Sequence, residues 1–316
     1  MNKMDLAVGV LTYGERNHLL YPVIDRLLEQ GLNVIYVYCN GIKRSLFGAL
    51  RERYKNDNVI LVYSDENLGS AGGYYKLLEY VAEADCSKFL MLLDDDNLVP
   101  NNFTEILKDI DVKDNEILFI NRKDRHILVE AKKQKKPWLD IGSKNSFLGH
   151  DYFRGLIPAY EEVKGDLLVA PYGGLILQRE IIEKAIYPNK SYYLYADDYD
   201  YTYRLVTKHG YVIRLIDDLE IEDIETSFHL ENKSVGLFSN RYIRAPKIRL
   251  YYSVRNQMLF AVNRVDNWLV FGINSVFTSL YINFGFIVRL DFKRVIWFLL
   301  AAADAIKIIV TDRTSR

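Results

Sequence analysis

The sequence predicts an α/β fold, a mostly parallel sheet flanked by helices, with a helical appendage at the C-terminal end. Three observations carry this. Over the first ~100 residues, apolar runs of strand length alternate with stretches of helical spacing, the pattern of βαβ units. The fourth apolar run, Phe89–Leu93, ends in three consecutive carboxylates, Asp94, Asp95 and Asp96, at the kind of strand end where open α/β sheets hold ligands. Beyond residue 240 the character changes: residues 241–316 carry twelve Lys and Arg against four acids, a surplus of +8.

The elements follow in order. Leu6–Thr12 is a short apolar run that predicts a strand, broken by Tyr13-Gly14-Glu15-Arg16-Asn17. His18–Gln30 places Leu19, Leu20, Val23, Ile24, Leu27 and Leu28 at helical spacing, and Gly31 stops the helix. Val34–Cys39 predicts a second strand ending at Asn40-Gly41, Leu46–Tyr54 a helix and Val59–Tyr63 a third strand. The glycine-rich segment Asn67-Leu68-Gly69-Ser70-Ala71-Gly72-Gly73 leads into a helix over Tyr74–Glu83. Residues 121–170 show no clear period, and the basic run from Lys132 to Lys136 reads as a solvated face. A strand over Tyr172–Gln178 and a helix over Glu180–Ala185 come next, then a helix opened by Asp197-Asp198-Tyr199-Asp200, then a strand over Val212–Ile216. We therefore expect an α/β domain over 1–240 and a C-terminal helical region over 241–316.

Composition sets the class. The chain has 316 residues, is 49% hydrophobic and 26% charged, and carries a net charge of −1. That is globular, and it gives no general case for a nucleic-acid partner. The two cysteines, Cys39 and Cys86, form no CxxC pair and no metal set with the five histidines; buried thiols in a reducing cytosol are expected. Met1–Leu11 reads as a strand and lacks a basic stretch followed by an apolar run and a small-residue cleavage site, so no signal peptide is expected. Trp268–Val288 has no charged residue but holds Asn274, Thr278 and Asn283, and Val295–Val310 carries Asp304 and Lys307. These read as amphipathic helices that lie on a membrane or pack in a homo-oligomer rather than span a bilayer.

The chemistry starts from the triplet. Adjacent carboxylates repel, so a fold keeps them together where positive charge resides; a divalent cation bridging to phosphates is the usual reason. Asp197-Asp198-Tyr199-Asp200 could supply a general base to a hydroxyl nucleophile, although Asp200 also has Arg204 one turn away as an ordinary partner. The segment Asn67–Gly73 lets backbone approach a ligand ahead of a helix N-terminus. It is neither a GxGxxG fingerprint nor a Walker A loop.

The ordered set of Thr12-Tyr13 with Arg16, Asn40-Gly41, Asn67-x-Gly69-x-x-Gly72-Gly73, Asp94-Asp95-Asp96, Asp197-Asp198-x-Asp200 with Arg204, His229 and Arg255-Asn256 resembles the inverting family 2 glycosyltransferases of GT-A fold. The resemblance covers roughly residues 5–260 and, within the family, is most similar to bacterial galactofuranosyltransferases, then to rhamnosyltransferases of polysaccharide assembly. It implies Mn²⁺ or Mg²⁺ held by Asp94 and Asp96 with His229, and Asp95 near the ribose or sugar. It implies Asp198 as catalytic base with Asp197 beside it, and a donor site lined by Thr12, Tyr13, Arg16, Asn40, Asn67, Gly72 and Gly73. Many relatives place Asp before the Asn-Gly of the second strand; here the residue is Cys39, so the contact to the nucleotide base departs from the pattern.

The implied partners are a UDP-sugar or dTDP-sugar, a glycan acceptor of a cell-surface polysaccharide such as capsule or O-antigen, lipid-linked, and a membrane surface. The implied location is peripheral, on the cytoplasmic face of the membrane. Two other classes compete: a nucleotidyltransferase-like sugar-nucleotide enzyme, disfavoured by the lack of a Gly-rich N-terminal loop bearing Lys or Arg, and a non-catalytic sugar-nucleotide-binding protein, disfavoured by the intact carboxylate sets.

Overall fold

The computed structural model describes residues 5–32, 34–84, 87–123, 125–225 and 241–314. The chain divides into two compact units. The first comprises Met1–Asp140, Val163–Tyr193 and Asp197–Ser227; the second comprises Ile141–Glu162, Leu194–Ala196 and Phe228–Arg316. The C-terminal region thus shares its unit with a stretch of the aperiodic middle of the chain.

The first unit is an eight-stranded sheet of order β3-β2-β1-β4-β7-β6-β8-β5. Its strands are β1 Leu6–Tyr13, β2 Ile35–Asn40, β3 Val59–Ser64, β4 Phe89–Asp94, β5 Asn97–Leu98, β6 Glu116–Arg122, β7 Leu175–Gln178 and β8 Val212–Asp223. The first four are mutually parallel. β7 runs antiparallel to both β4 and β6, and β6 is parallel to β8. The sheet is therefore mixed and mostly parallel, flanked by helices, as expected. β1 and β2 read as continuous apolar runs because both of their faces are covered: β2 is buried throughout and β1 in all but its last residue. Helices α1 Asn17–Glu29 and α2 Arg44–Arg53 connect these strands. One side of the sheet packs around Leu20, Ile24, Leu27, Val37, Met91 and Leu118.

The helix expected from Tyr74 begins earlier. α3 runs Gly69–Glu83, so the glycines form its first turns. Gly69 has φ +70°, and a Cβ there would lie 2.0 Å from the Tyr193 carbonyl oxygen, which accepts from the Ala71 N–H at 3.2 Å. A Cβ on Gly73 would lie 2.6 Å from the Leu11 side chain. These glycines let α3 sit close to the sheet. The middle of the chain also holds α4 Phe103–Leu107 and α5 His126–Lys133, absent from the expectation. α6 Arg179–Glu183 and α7 Asp197–Thr207 complete the unit.

The second unit is helical: α8 Lys247–Val262, α9 Trp268–Ile287 and α10 Phe292–Thr314. Its core gathers Leu250, Val254, Phe271, Ile282, Phe286 and Phe298 with Phe147 and Leu148 of the 141–162 segment.

Candidate active site

The candidate site lies in the first unit, where β1, β2, β4, β6 and β8 end. At the tip of β4 the three aspartates take different partners. Asp94 accepts from the Tyr74 hydroxyl at 2.8 Å and from the Arg122 guanidinium at 3.3 Å. Asp95 is buried; it accepts from Thr12 Oγ1 at 2.7 Å and from Arg16 Nε at 2.9 Å. Asp96 accepts from the Arg16 guanidinium at 3.2 Å and from Asn97 Nδ2 at 3.3 Å. Asn97 also donates to Asp223 at 2.7 Å, and Arg122 lies 3.5 Å from the same Asp223. Arg16 reaches Glu225 as well, at 2.6 Å.

Five carboxylates thus gather around two guanidinium groups. Arg16 and Arg122 do not offset that charge. Burial and the neighbouring Asp94, Asp95 and Asp223 push the Asp96 carboxyl up to about 7, against the pull of Arg16. Burial also lifts Asp95 to about 6 in spite of Arg16 and Thr12.

Of the residues expected to line the donor site, several are tied to one another. Thr12 and Arg16 hold Asp95. Asn40 is buried and bridges to the glycine segment, donating to the Gly69 carbonyl at 2.9 Å and accepting from the Leu68 N–H at 2.8 Å. Asn67 Oδ1 accepts from the Gly69 N–H at 2.9 Å. Gly72 and Gly73 are buried in α3 packing. Tyr13 is 48% exposed, its ring 5.1 Å from the Arg16 guanidinium carbon, and Asn67 is exposed too, so these two members of the group are open to a ligand. Cys39 is fully buried, and burial pushes its thiol up to about 12, which makes it an inert core residue. Cys86 lies outside the described residues.

α7 opens the second carboxylate set. Asp197 is buried and accepts from Ser70 Oγ at 2.8 Å. Burial and the adjacent Asp198 push its carboxyl well up. Asp200 is buried and accepts from Arg204 Nε at 2.8 Å and the Tyr192 hydroxyl at 3.2 Å, so it is a structural ion pair. Asp198 differs: it is half-buried and accepts from the Tyr199 N–H at 2.8 Å. Burial raises its carboxyl to about 6, while Arg125 and Arg122 pull the other way. Of the three, Asp198 is the carboxylate with both access and a raised proton affinity.

Among the described residues, no three His, Cys, Asp or Glu side chains converge as a ready-made metal cage. Asp94 is engaged by Tyr74 and Arg122, and Asp95 by Thr12 and Arg16. His229, expected as the third ligand, lies outside the described residues. The donor set nonetheless suits a hard cation. Asp94 and Asp96 are carboxylates at a site with unbalanced negative charge, and Mg²⁺-type sites in phosphate chemistry use one or two carboxylates, waters and substrate phosphates.

Sequence reasoning missed Arg122, Arg125 and Asp223. Asp223 had a readable signal: from Ile216 onward Leu219 and Ile221 alternate with acids, a period-2 pattern that extends β8 to Asp223. Arg122 and Arg125 had none, because an isolated arginine after an apolar run does not reveal what its guanidinium faces.

No family model and no curated protein matches the sequence. Solved structures do match in fold. S. aureus TarS 1–349 aligns with a TM-score of 0.50 at 13% identity, over 88% of this chain and 69% of that one. S. aureus TarS aligns at 0.53 and 13%, over 92% of this chain and 54% of that one. GalNAc-T7, solved with UDP, GalNAc and Mn²⁺, aligns at 0.50 and 12%, over 81% and 48%. The chain thus spans about half the length of the latter two. With the strand order and the C-terminal helices, these alignments show that the fold is that of the GT-A glycosyltransferases.

Proposed function

We propose that this protein is an inverting, metal-dependent glycosyltransferase that moves a sugar from a nucleoside-diphosphate sugar to an acceptor hydroxyl. The observation that carries this reading is the strand-end arrangement on a GT-A fold. Asp94 and Asp96 stand at the tip of β4 in a site with surplus negative charge, and the half-buried Asp198 sits at the start of α7 with Arg125 and Arg122 acting on it. The GalNAc-T7 structure with UDP and Mn²⁺ supports a nucleotide-sugar donor and a divalent cation. For the sugar, the Asn67–Gly73 segment followed by the triple Asp favours galactofuranose, with rhamnose from dTDP-rhamnose as the competing donor. A growing bacterial surface polysaccharide is the acceptor class.

In this reading Asp94 and Asp96 hold Mn²⁺ or Mg²⁺, which when bound offsets the charge that develops on the departing diphosphate. Asp198 accepts the acceptor hydroxyl proton. The hydroxyl oxygen forms the new bond to the anomeric carbon as the bond to the diphosphate oxygen breaks, and the diphosphate leaves with that electron pair. Attack from the face opposite the leaving group inverts the anomeric centre. Asp197, held by Ser70, keeps the first turn of α7 in register beside the sugar or acceptor. Asp95 acts as an internal brace that sets Arg16 across the three strand ends.

A donor screen tests this. UDP-galactofuranose and dTDP-rhamnose are incubated with a synthetic glycan acceptor, with Mn²⁺, with Mg²⁺ and with EDTA, and the product linkage is read by NMR. Transfer with inverted configuration that stops in EDTA is expected. Full turnover in EDTA, or retention of configuration, overturns the mechanism.

A further inference from the structure

The helix α9 buries a polar pair within its core face and leaves a second, apolar face exposed. The residues it buries include its polar ones: Asn274 and Thr278 are fully buried. Asn274 Nδ2 donates to the Asn145 carbonyl at 2.9 Å and to Asp151 at 3.0 Å, and its Oδ1 accepts from the Tyr152 N–H at 3.1 Å. The residues it turns outward are apolar. Leu269, Val276, Phe277, Leu280, Phe284 and Ile287 are 44–74% exposed, and their spacing follows one helical face. The surface continues through Leu290 and Phe292 onto Ile296, Leu299 and Leu300 of α10, all more than half exposed. Beside α9 the 141–162 segment adds exposed Tyr152, Leu156 and Ile157. Between Tyr152, Phe153 and the outward face of α9 lies an apolar groove of about 660 Å³. A contiguous apolar surface of this kind marks an interaction site.

Charge identifies what it meets. Arg154, Arg289 and Lys293 are exposed along the rim. The acids nearby are engaged: Asp291 pairs with Arg294 at 2.8 Å, and Asp304 accepts from the Tyr251 hydroxyl. An apolar face rimmed by cations complements a bilayer with anionic headgroups. A second copy docked through the same face would instead crowd these cations at one interface. α9 is, among the described residues, the one helix long and apolar enough to cross a bilayer. Crossing would carry Asn274 and Thr278, with the Asn274 partners Asn145 and Asp151, into the hydrocarbon, where polar groups are costly.

We propose that this face of the second unit docks on an anionic phospholipid bilayer, with α9 lying along the surface. The inference is independent of the glycosyl-transfer reading, because it is read without turnover. The full chain is floated with vesicles of phosphatidylcholine, with and without phosphatidylglycerol. Flotation with the anionic vesicles, reduced but not abolished by high salt, is expected. The pair Leu280→Glu and Phe284→Glu, both on exposed positions, should weaken vesicle affinity about tenfold or more, since each replaces an apolar contact with the interface by a charge that anionic lipid repels. The pair Arg289→Gln and Lys293→Gln should cost roughly 30-fold on anionic vesicles, and little on neutral ones. Circular dichroism melts confirm that the variants fold. Wild-type protein that stays unbound at low salt overturns the proposal. So does a wild-type dimer, seen by analytical ultracentrifugation, that Leu280→Glu and Phe284→Glu convert to a monomer without any change in vesicle binding.

Discussion

Both units have apolar cores, but they differ in what they gather beyond them. In the first, the sheet interior is apolar and charge is concentrated at one strand-end rim, where Asp94, Asp95, Asp96, Asp223 and Glu225 meet Arg16 and Arg122. In the second, α9 buries Asn274 and Thr278 and displays Phe277, Leu280 and Phe284. The difference teaches how to read each feature. Charge gathered against its own repulsion implies a counter-ion or substrate, whereas apolar surface left in water implies a nonpolar environment. Both are costs that folding alone does not explain.

The largest expected effect is on the rim itself. Arg16 holds Asp95, Asp96 and Glu225 together, and Asp95 has almost no solvent access. Arg16→Leu leaves a buried carboxylate without its cation, at a cost of about 3–5 kcal/mol near pH 8, read by urea unfolding. Asp95 already titrates near 6 with Arg16 present, and removing the cation lifts it further. The loss should therefore shrink toward pH 5, where Asp95 takes up a proton. A loss that does not depend on pH would mean that packing of the Arg16 stem, not charge, holds the rim.

Second is the chemical step. Asp198→Asn is near-isosteric and keeps the bond from the Tyr199 N–H, but cannot accept a proton. kcat should fall roughly 10²-fold or more, with donor binding preserved. If Asp197→Asn abolishes turnover while Asp198→Asn stays near wild type, the base is the other carboxylate.

Third, the second unit has its own polar anchor. Asn274→Leu removes three hydrogen bonds and leaves the Tyr152 N–H and the Asn145 carbonyl unpaired, a loss of roughly 1–3 kcal/mol in unfolding free energy. Phe284→Ser, on the outward face of the same helix, should change stability by less than about 0.5 kcal/mol. If the two were reversed, the assignment of the buried and outward faces of α9 would fail.

Much of this was legible in sequence, and the limits have physical causes. β1, β2 and β4 are largely buried strands and β3 is a half-buried edge strand of apolar and β-branched residues, so their runs stand out, and the triplet at the tip of β4 was plain. α3 was placed too late because Gly69, Gly72 and Gly73 are poor helix formers; they are there for close contact with Tyr193, Leu68 and Leu11, which no local pattern encodes. β6, Glu116–Arg122, is fully buried, yet it lies beside an aperiodic stretch and was passed over. The candidate base and the acidic triplet could be named from sequence. The bond from Thr12 to Asp95, across 83 positions, could not. Nor could the fact that Asn40 is spent on Leu68 and Gly69, since a side chain's partners are set by packing rather than by spacing.

Metal binding sharpens the contrast at the rim. Asp96 is raised to about 7 by burial and by Asp94, Asp95 and Asp223. A carboxyl raised in the folded state stabilises the fold when protonated, and that contribution is lost as pH rises through the folded value. Without metal, melting temperature should therefore drop between pH 6 and pH 8. Mn²⁺ competes with the proton for the same oxygens, so the rise in melting temperature on adding Mn²⁺ should be small at pH 6 and larger at pH 8, at roughly 2–4 °C per kcal/mol of stabilisation. Asp96→Asn should remove most of that increment. An increment that is flat with pH and intact in Asp96→Asn would place the cation elsewhere.

The smallest effect concerns Arg125, a residue that only the three-dimensional arrangement brings forward. Its guanidinium is the main influence holding the Asp198 carboxyl down against burial, with Arg122 behind it. A base must be deprotonated in the free enzyme, so kcat/KM should fall on the acid side with a limb near 6. Arg125→Leu removes the stronger cationic influence and leaves Asp198 under burial and the Asp94 charge, with Arg122 the remaining cation opposing them. The acid limb should therefore move to higher pH, while the rate on the alkaline plateau changes little. Arg125→Lys keeps the charge and should restore the limb. That rescue separates an electrostatic role from a structural one: a residue needed only for packing would lower the plateau at every pH and leave the limb where it was. If Arg125 instead binds donor phosphate, both substitutions should raise KM without moving the limb, and the cation would then act on the substrate rather than on the base.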